Sequence, residues 1–158
     1  MIDVRALDGE DWTIWRTLRL EALRESPQAY GSTYEQWCGA SEERWLQRLR
    51  SVPFNAVAYR AERACGIVSG TAPDDRRMVE LISLWVAPDV RGTGVGDALI
   101  RAVAAFARRE GAAGVHLAVR ESNAAAAALY RRHGFADAGP AGGDGPPERR
   151  MEFRFRDG

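Results

Sequence analysis

The run Val86-Ala87-Pro88-Asp89-Val90-Arg91-Gly92-Thr93-Gly94-Val95-Gly96 constrains this chain most, because it joins two opposite periodicities through three alternate glycines. Upstream, Met78 to Val86 is rich in apolar and β-branched residues and reads as a strand. Downstream, Val95, Leu99, Val103 and Phe106 recur at helical spacing, with Ala98 and Ala102 beside them and Gly111 as the stop. A glycine-rich junction between strand and helix lets the free N–H groups of the first helical turn face one point, where the helix dipole favours an anion. Arg91 adds a charged clamp, so the junction predicts a phosphate-binding turn. Two familiar versions fail. A dinucleotide fold needs G-x-G-x-x-G, and counting from Gly92 puts Asp97 in place of the last glycine; a P-loop needs a lysine, and the chain has none. The residues alone leave open a tight connection that binds nothing.

The rest of the chain supplies one core's worth of elements. Its 158 residues, 46% of them hydrophobic, suit a single domain over residues 2–156. Ile2 to Leu7 reads as a strand, and Asp11 is placed to cap a helix that carries Trp12, Trp15, Leu18, Ala22 and Leu23 on one face until Ser26-Pro27. Ser41 starts a second helix that runs to about Arg50. Phe54 to Arg60, Cys65 to Thr71 and Met78 to Val86 form an expected antiparallel meander. Val115 to Val119 alternates as a fifth strand, Asn123 caps a last helix ended by Gly134, Phe135 begins another strand, and Arg149 to Arg156 closes the chain. Between the last two strands, Gly139 to Pro147 reads as a loop.

Charge and cysteine content exclude several classes. Twenty-two basic residues balance 22 acidic ones, which argues against nucleic acid or an anionic bilayer as partner. Cys38 and Cys65 have no companions at metal-ligand spacing, so no metal is expected. No stretch is long and apolar enough to span a membrane, and no basic-then-apolar leader opens the chain, so a cytoplasmic location is expected.

Two motifs carry a resemblance. Arg91, Gly94 and Gly96 match R/Q-x-x-G-x-G/A after a V-x-P strand end, and Asn123, Ala126, Leu129, Tyr130, Gly134 and Phe135 match N-x-x-A-x-x-L-Y-x-x-x-G-F. Together they resemble the GNAT acetyltransferase family, over nearly the whole chain in element order and specifically from Glu80 to Phe135. The resemblance implies an α/β fold of the GNAT type: a mixed, mostly antiparallel sheet of about seven strands flanked by four helices, split where acetyl-CoA inserts. It implies acetyl-CoA as acyl donor and a primary amine of a small molecule as acceptor. A protein or peptide amine is the alternative acceptor, and a non-catalytic acyl-CoA sensor is the alternative from another class. Many relatives pair as homodimers, and the apolar edge of the C-terminal strand makes that compatible here.

Site residues follow from the same resemblance. The backbone of Leu84, Trp85 and Val86 would pair with the pantetheine arm, much as a strand is added to a sheet. Amides of Gly92, Thr93, Gly94, Val95, Gly96 and Asp97 would hold the pyrophosphate, with Asn123 on the pantetheine. Asp97 departs from that picture, since a carboxylate beside the phosphates repels them unless it turns away. Transfer to an amine needs a neutral nucleophile, a donor for the negative charge that develops on the acyl oxygen, and a proton for the departing thiolate. Tyr130 is the expected acid and Glu80 the expected base, its parity placing it with Ile82, Leu84 and Val86 unless a bulge breaks the register. Glu121 is the fallback base. The aromatic segment Gln28 to Ala40 offers Tyr30, Tyr34 and Trp37 as acceptor contacts, and core packing accounts for the same rings equally well.

Overall fold

The structure is a computed structural model and describes residues 1–156. Its elements are β1 (Ile2–Ala6), α1 (Trp12–Glu25), a one-turn α2 (Tyr34–Trp37), α3 (Glu42–Ser51), β2 (Phe54–Arg60), β3 (Arg63–Gly70), β4 (Met78–Val86), α4 (Val95–Arg109), β5 (Gly114–Arg120), α5 (Ala124–Arg132), β6 (Ala136–Ala141) and β7 (Glu148–Arg154). The seven strands form one sheet in the order β1-β2-β3-β4-β5-β7-β6. Every neighbouring pair is antiparallel except β4 and β5, and α4 makes the crossover that this parallel pair requires.

Each face of the sheet has its own cover. On one side α4 buries Val95, Leu99, Ile100, Val103 and Phe106, with Phe106 stacked on Phe54 at 4.9 Å. On the other, α1 buries Trp15, Leu18, Ala22 and Leu23, and α3 buries Trp45 and Leu49. The residues that repeat at helical spacing are thus the ones withdrawn from water, and each fully buried large side chain contributes about 1.5–3 kcal/mol of transfer free energy. Caps fix two of the helix starts. Ser41 Oγ accepts from Arg44 N–H (3.2 Å) and Asn123 Oδ1 from Ala126 N–H (3.2 Å).

Three local expectations are corrected. Asp11 makes no cap to α1; it closes a box with Asp8 around the 3-10 turn Gly9–Asp11, where each carboxylate accepts from the other end's backbone. β6 runs on to Ala141, into the stretch expected to be loop, and passes its irregular register between Asp137 and Pro140. The third concerns β4. Ser83 sits at φ 60 and the β3 register shifts there, from Ile67↔Trp85 to Ser69↔Ile82. Ile82 therefore shares the α3 side with Ser69, whose hydroxyl bonds Arg48, whereas Val86 faces Gly96 at the start of α4. The bulge takes Leu84 and Val86 off the face that carries Glu80 and Ile82.

Candidate active site

β4 and β5 pair over only three residues, Met78↔Gly114 to Glu80↔His116, and then part. Past that point β4 continues to Val86 beside β3, and β5 to Arg120 beside β7. The split opens a cavity of ≈ 800 Å³, whose walls include Glu80 to Val86 on one side and Ala118 to Arg120, Asn123 and Tyr130 on the other.

The glycine turn forms the mouth of this cleft. Gly92 (φ 79) and Gly94 (φ 101) both hold left-handed backbone, which side chains other than glycine adopt at a cost of about 1 kcal/mol or more. Beyond Gly94 the first helical bond runs from Ala98 N–H to the Gly94 carbonyl (3.0 Å), leaving the preceding amides free of helical partners. A methyl placed on Gly92 would meet nothing within 4 Å, so the space in front of the turn is open. One on Gly96 would lie 3.1 Å from Leu129 Cδ2, because α4 and α5 approach closely there. Such a turn fits a pyrophosphate. Thr93 and Val95 contribute only backbone: the Thr93 hydroxyl donates to the Val90 carbonyl (2.5 Å), and Val95 is buried.

Charged groups around the mouth are paired. Asp97 turns to α5, with Oδ1 2.7 Å from His133 Nε2 and 3.4 Å from Arg132. The His133 contact, with Arg132 behind it, holds the Asp97 carboxyl below its ordinary range against the opposing effect of burial. Arg91 donates from Nη2 to Glu25 Oε1 (2.6 Å) and from Nε to the Val86 carbonyl (2.9 Å). Glu25 also accepts from Trp85 Nε1 (3.0 Å), and although burial pushes its carboxyl up, the donors of Ser26, Trp85 and Arg91 together bring it down.

Two phenols line the cleft. Tyr130 is 7% exposed, its ring 5.8 Å from Phe135, and burial with Tyr30 nearby pushes its hydroxyl well above the ordinary tyrosine range. Tyr30 is pushed up too, chiefly by burial, and donates to the Leu84 carbonyl (2.8 Å). Leu84 and Val86 thus turn their carbonyls into the split, where Tyr30 and Arg91 occupy them. Arg120 Nη2 donates to the Tyr30 carbonyl (3.2 Å), and its Nε lies 3.7 Å from Glu148, close enough for charge pairing but too far for a hydrogen bond.

The structure does not gather every expected residue. Tyr30 lines the cavity, but Tyr34 and Trp37 do not. The Tyr34 hydroxyl accepts from Arg24 (2.6 Å), and Trp37 packs on Trp45 at 4.7 Å and under Arg44 at 4.1 Å. Glu121 is drawn off to Arg149 (3.2 Å) and is not a lining residue. Glu80 lines the cleft half-buried, its backbone N–H donating to Thr71 Oγ1 (2.9 Å). Sequence reasoning missed Arg19, Glu25 and Arg120, which looked like solvated positions on their elements. The run of charged residues from Arg19 to Glu25, directly ahead of the Ser26-Pro27 stop, was the available signal. Among the described residues no group of three or more His, Cys, Asp or Glu converges as a metal site, and no helix is long and apolar enough to cross a membrane.

Comparison with known proteins places this architecture. The profile of the acetyltransferase (GNAT) family matches residues 12–135, and the chain belongs to that family. It is 35% identical over 138 residues to mycothiol acetyltransferase of Salinispora tropica, covering 81% of this chain and 42% of that protein. It is 46% identical over 72 residues to streptothricin acetyltransferase of Streptomyces lavendulae, covering 46% of this chain and 37% of that protein. The chain therefore spans less than half the length of these curated relatives. In fold it is similar to a putative acetyltransferase from Salmonella typhimurium solved with its cofactor acetyl-CoA, at a TM-score of 0.80 and 19% identity, over 100% of this chain and 96% of that one.

Proposed function

We propose that this chain transfers the acetyl group of acetyl-CoA to a primary amine of a small molecule. The observation that carries the proposal is the split between β4 and β5, because it brings the free amides of the glycine turn and the Tyr130 hydroxyl into one cavity. Acetyl-CoA supplies an activated thioester; the chain supplies binding, orientation and proton transfer. The turn from Gly92 to Asp97 holds the pyrophosphate with Arg91 as clamp, and the pantetheine arm lies along Leu84 to Val86, its amides replacing the hydroxyl of Tyr30 and the guanidinium of Arg91 on the two carbonyls. Asn123 faces the arm from the start of α5.

Tyr130 acts as the acid. Its phenol is protonated at neutral pH, and its place in the cleft puts that proton within reach of a departing thiolate. Glu80 draws the amine proton through water from the opposite wall. The names of mycothiol acetyltransferase and streptothricin acetyltransferase refer to small molecules, which supports a small-molecule amine over a protein one.

Incubation with acetyl-CoA and a broad amine panel, following free thiol, tests the reading. Release above the amine-free blank is expected. Saturable CoA binding with no release for any amine would favour a sensor instead.

A further inference from the structure

Six of the charged side chains lining the cleft fall into pairs: Arg91 with Glu25 at 2.6 Å, Arg132 with Asp97 at 3.4 Å and Arg120 with Glu148 at 3.7 Å. Two do not. Among the described residues, neither Glu80 nor Arg19 is within ion-pairing distance of an opposite charge, and both line the same cavity.

Arg19 is the more unusual. Its guanidinium lies 4.6 Å from the centre of the Tyr30 ring, and its Nη1 is sealed from solvent with no acceptor. Behind it stands a second part-buried guanidinium, Arg48, over the Trp15 ring at 5.0 Å. Arg48 donates only to neutral oxygens: Asn55 Oδ1 (3.1 Å), Ser69 Oγ (3.0 Å) and Ser83 Oγ (3.4 Å), the last at the β4 bulge. Burial lowers both guanidinium pKa values, with Tyr30 opposing it in part at Arg19 and the Arg19 charge adding to it at Arg48, and no carboxylate raises either. Two withdrawn cations without an anion weaken the fold unless something at the site compensates them. A guanidinium stacked on a ring by its face still presents its N–H edge, and that edge matches the two oxygens of a carboxylate.

We propose that the acceptor carries a carboxylate as well as its amine, an amino-acid type of zwitterion, and that Arg19 binds the carboxylate while the amine lies toward Glu80. The unpaired cation and the unpaired anion of the cleft are then the complements of the two ends of the ligand. Arg48 reinforces the positive end and, through Ser83, ties it to the bulge in β4. This assignment rests on the acetyltransferase reading for the role of the amine, though carboxylate binding can be measured without turnover.

The experiment has two arms. In the first, the CoA-loaded chain is titrated calorimetrically with N-acetylated amino acids and, side by side, their neutral amides. The best acid should bind about tenfold or more tighter than its amide, Arg19→Met should collapse that ratio, and Arg19→Lys should restore part of it. Equal binding of acids and amides, or no binding of any acid, overturns the proposal; the wild-type ratio decides this even if Arg19→Met fails to fold. In the second arm, thiol release is followed with free amino acids, amino-acid amides and the decarboxylated amines. A higher kcat/KM for the acids that vanishes in Arg19→Met supports the proposal. Transfer to the amides and amines alone overturns it and leaves the acetyltransferase reading intact. Acids that bind through Arg19 with no release from any amine support the carboxylate site and remove the acetyltransferase reading.

Discussion

The two ends of the cleft are built from different materials. The end proposed for the cofactor consists of backbone: left-handed glycines, amides ahead of the first bond of α4, and two β4 carbonyls turned into a split sheet. Its charges are neutralised locally, Asp97 by α5 and Arg91 by Glu25. The end proposed for the acceptor consists of side chains sent from α1, the loop after it and β4, with Arg19 in its lining and Arg48 of α3 behind, neither paired with a carboxylate. Backbone sites depend on where the chain turns and tolerate much sequence change around them. Side-chain sites depend on which residues a handful of separate elements contribute, so the acceptor end is where relatives with one fold can differ in substrate.

The largest test of that division falls at its boundary. Tyr130→Phe removes a hydroxyl and no backbone contact, so kcat should fall by about 100-fold or more while the CoA Kd changes by less than about twofold. A variant that turns over normally removes Tyr130 as the acid. Next in size, Arg91→Ala should weaken CoA about tenfold in calorimetry, the scale of one charge-assisted contact. Glu25→Gln sharpens this result, because it frees Arg91 from its 2.6 Å partner and should leave CoA affinity equal or better. Parallel losses in both variants would mean that the Arg91–Glu25 pair matters only as structure. Smaller again, Trp37→Leu should cost about 1 kcal/mol in urea unfolding through its lost contact with Trp45, with the amine KM unchanged within about twofold. A KM effect would put the aromatic loop back into the acceptor end.

That contrast also explains what the sequence made legible. β2 and β4 are bounded as their apolar runs indicate, and α4 buries the residues that repeat at helical spacing, because burial and periodicity are local properties of a run. The glycine turn announces itself through residue type, since few other residues tolerate the dihedrals at Gly92 and Gly94. The bulge at Ser83 carries no such mark: a serine at φ 60 is held there by its surroundings, among them Arg48, and nothing within β4 signals it. Arg19 and Glu25 occupy polar positions of an amphipathic helix, which in a single sequence look like solvated ones. Only the docking of α1 on β3, with Trp85 of β4 reaching Glu25, gives them a cavity. The parallel pairing of β4 with β5, which makes the cleft, likewise depends on a crossover rather than on either strand's residues.

The smallest expected effect is in the pH dependence of stability, and it separates the two ends chemically. Asp97 is held below the ordinary range by His133, so the folded chain binds fewer protons there than the unfolded chain as pH falls. Its contribution is complete above about pH 4, the unfolded carboxyl range, and disappears as pH drops through the lower folded value. Asp97→Asn should therefore cost about 0.5 kcal/mol at pH 7 and progressively less toward pH 3, as measured by urea unfolding. Tyr130 has the opposite sign. Its hydroxyl is pushed up by burial, so the unfolded chain loses that proton first, and stability falls as pH rises above about 10, less steeply in Tyr130→Phe. If Asp97→Asn costs the same at pH 7 and pH 3, the carboxylate is not neutralised within the fold. It would then face the pyrophosphate as an unscreened anion, and the cofactor end would no longer be the electrostatically closed one.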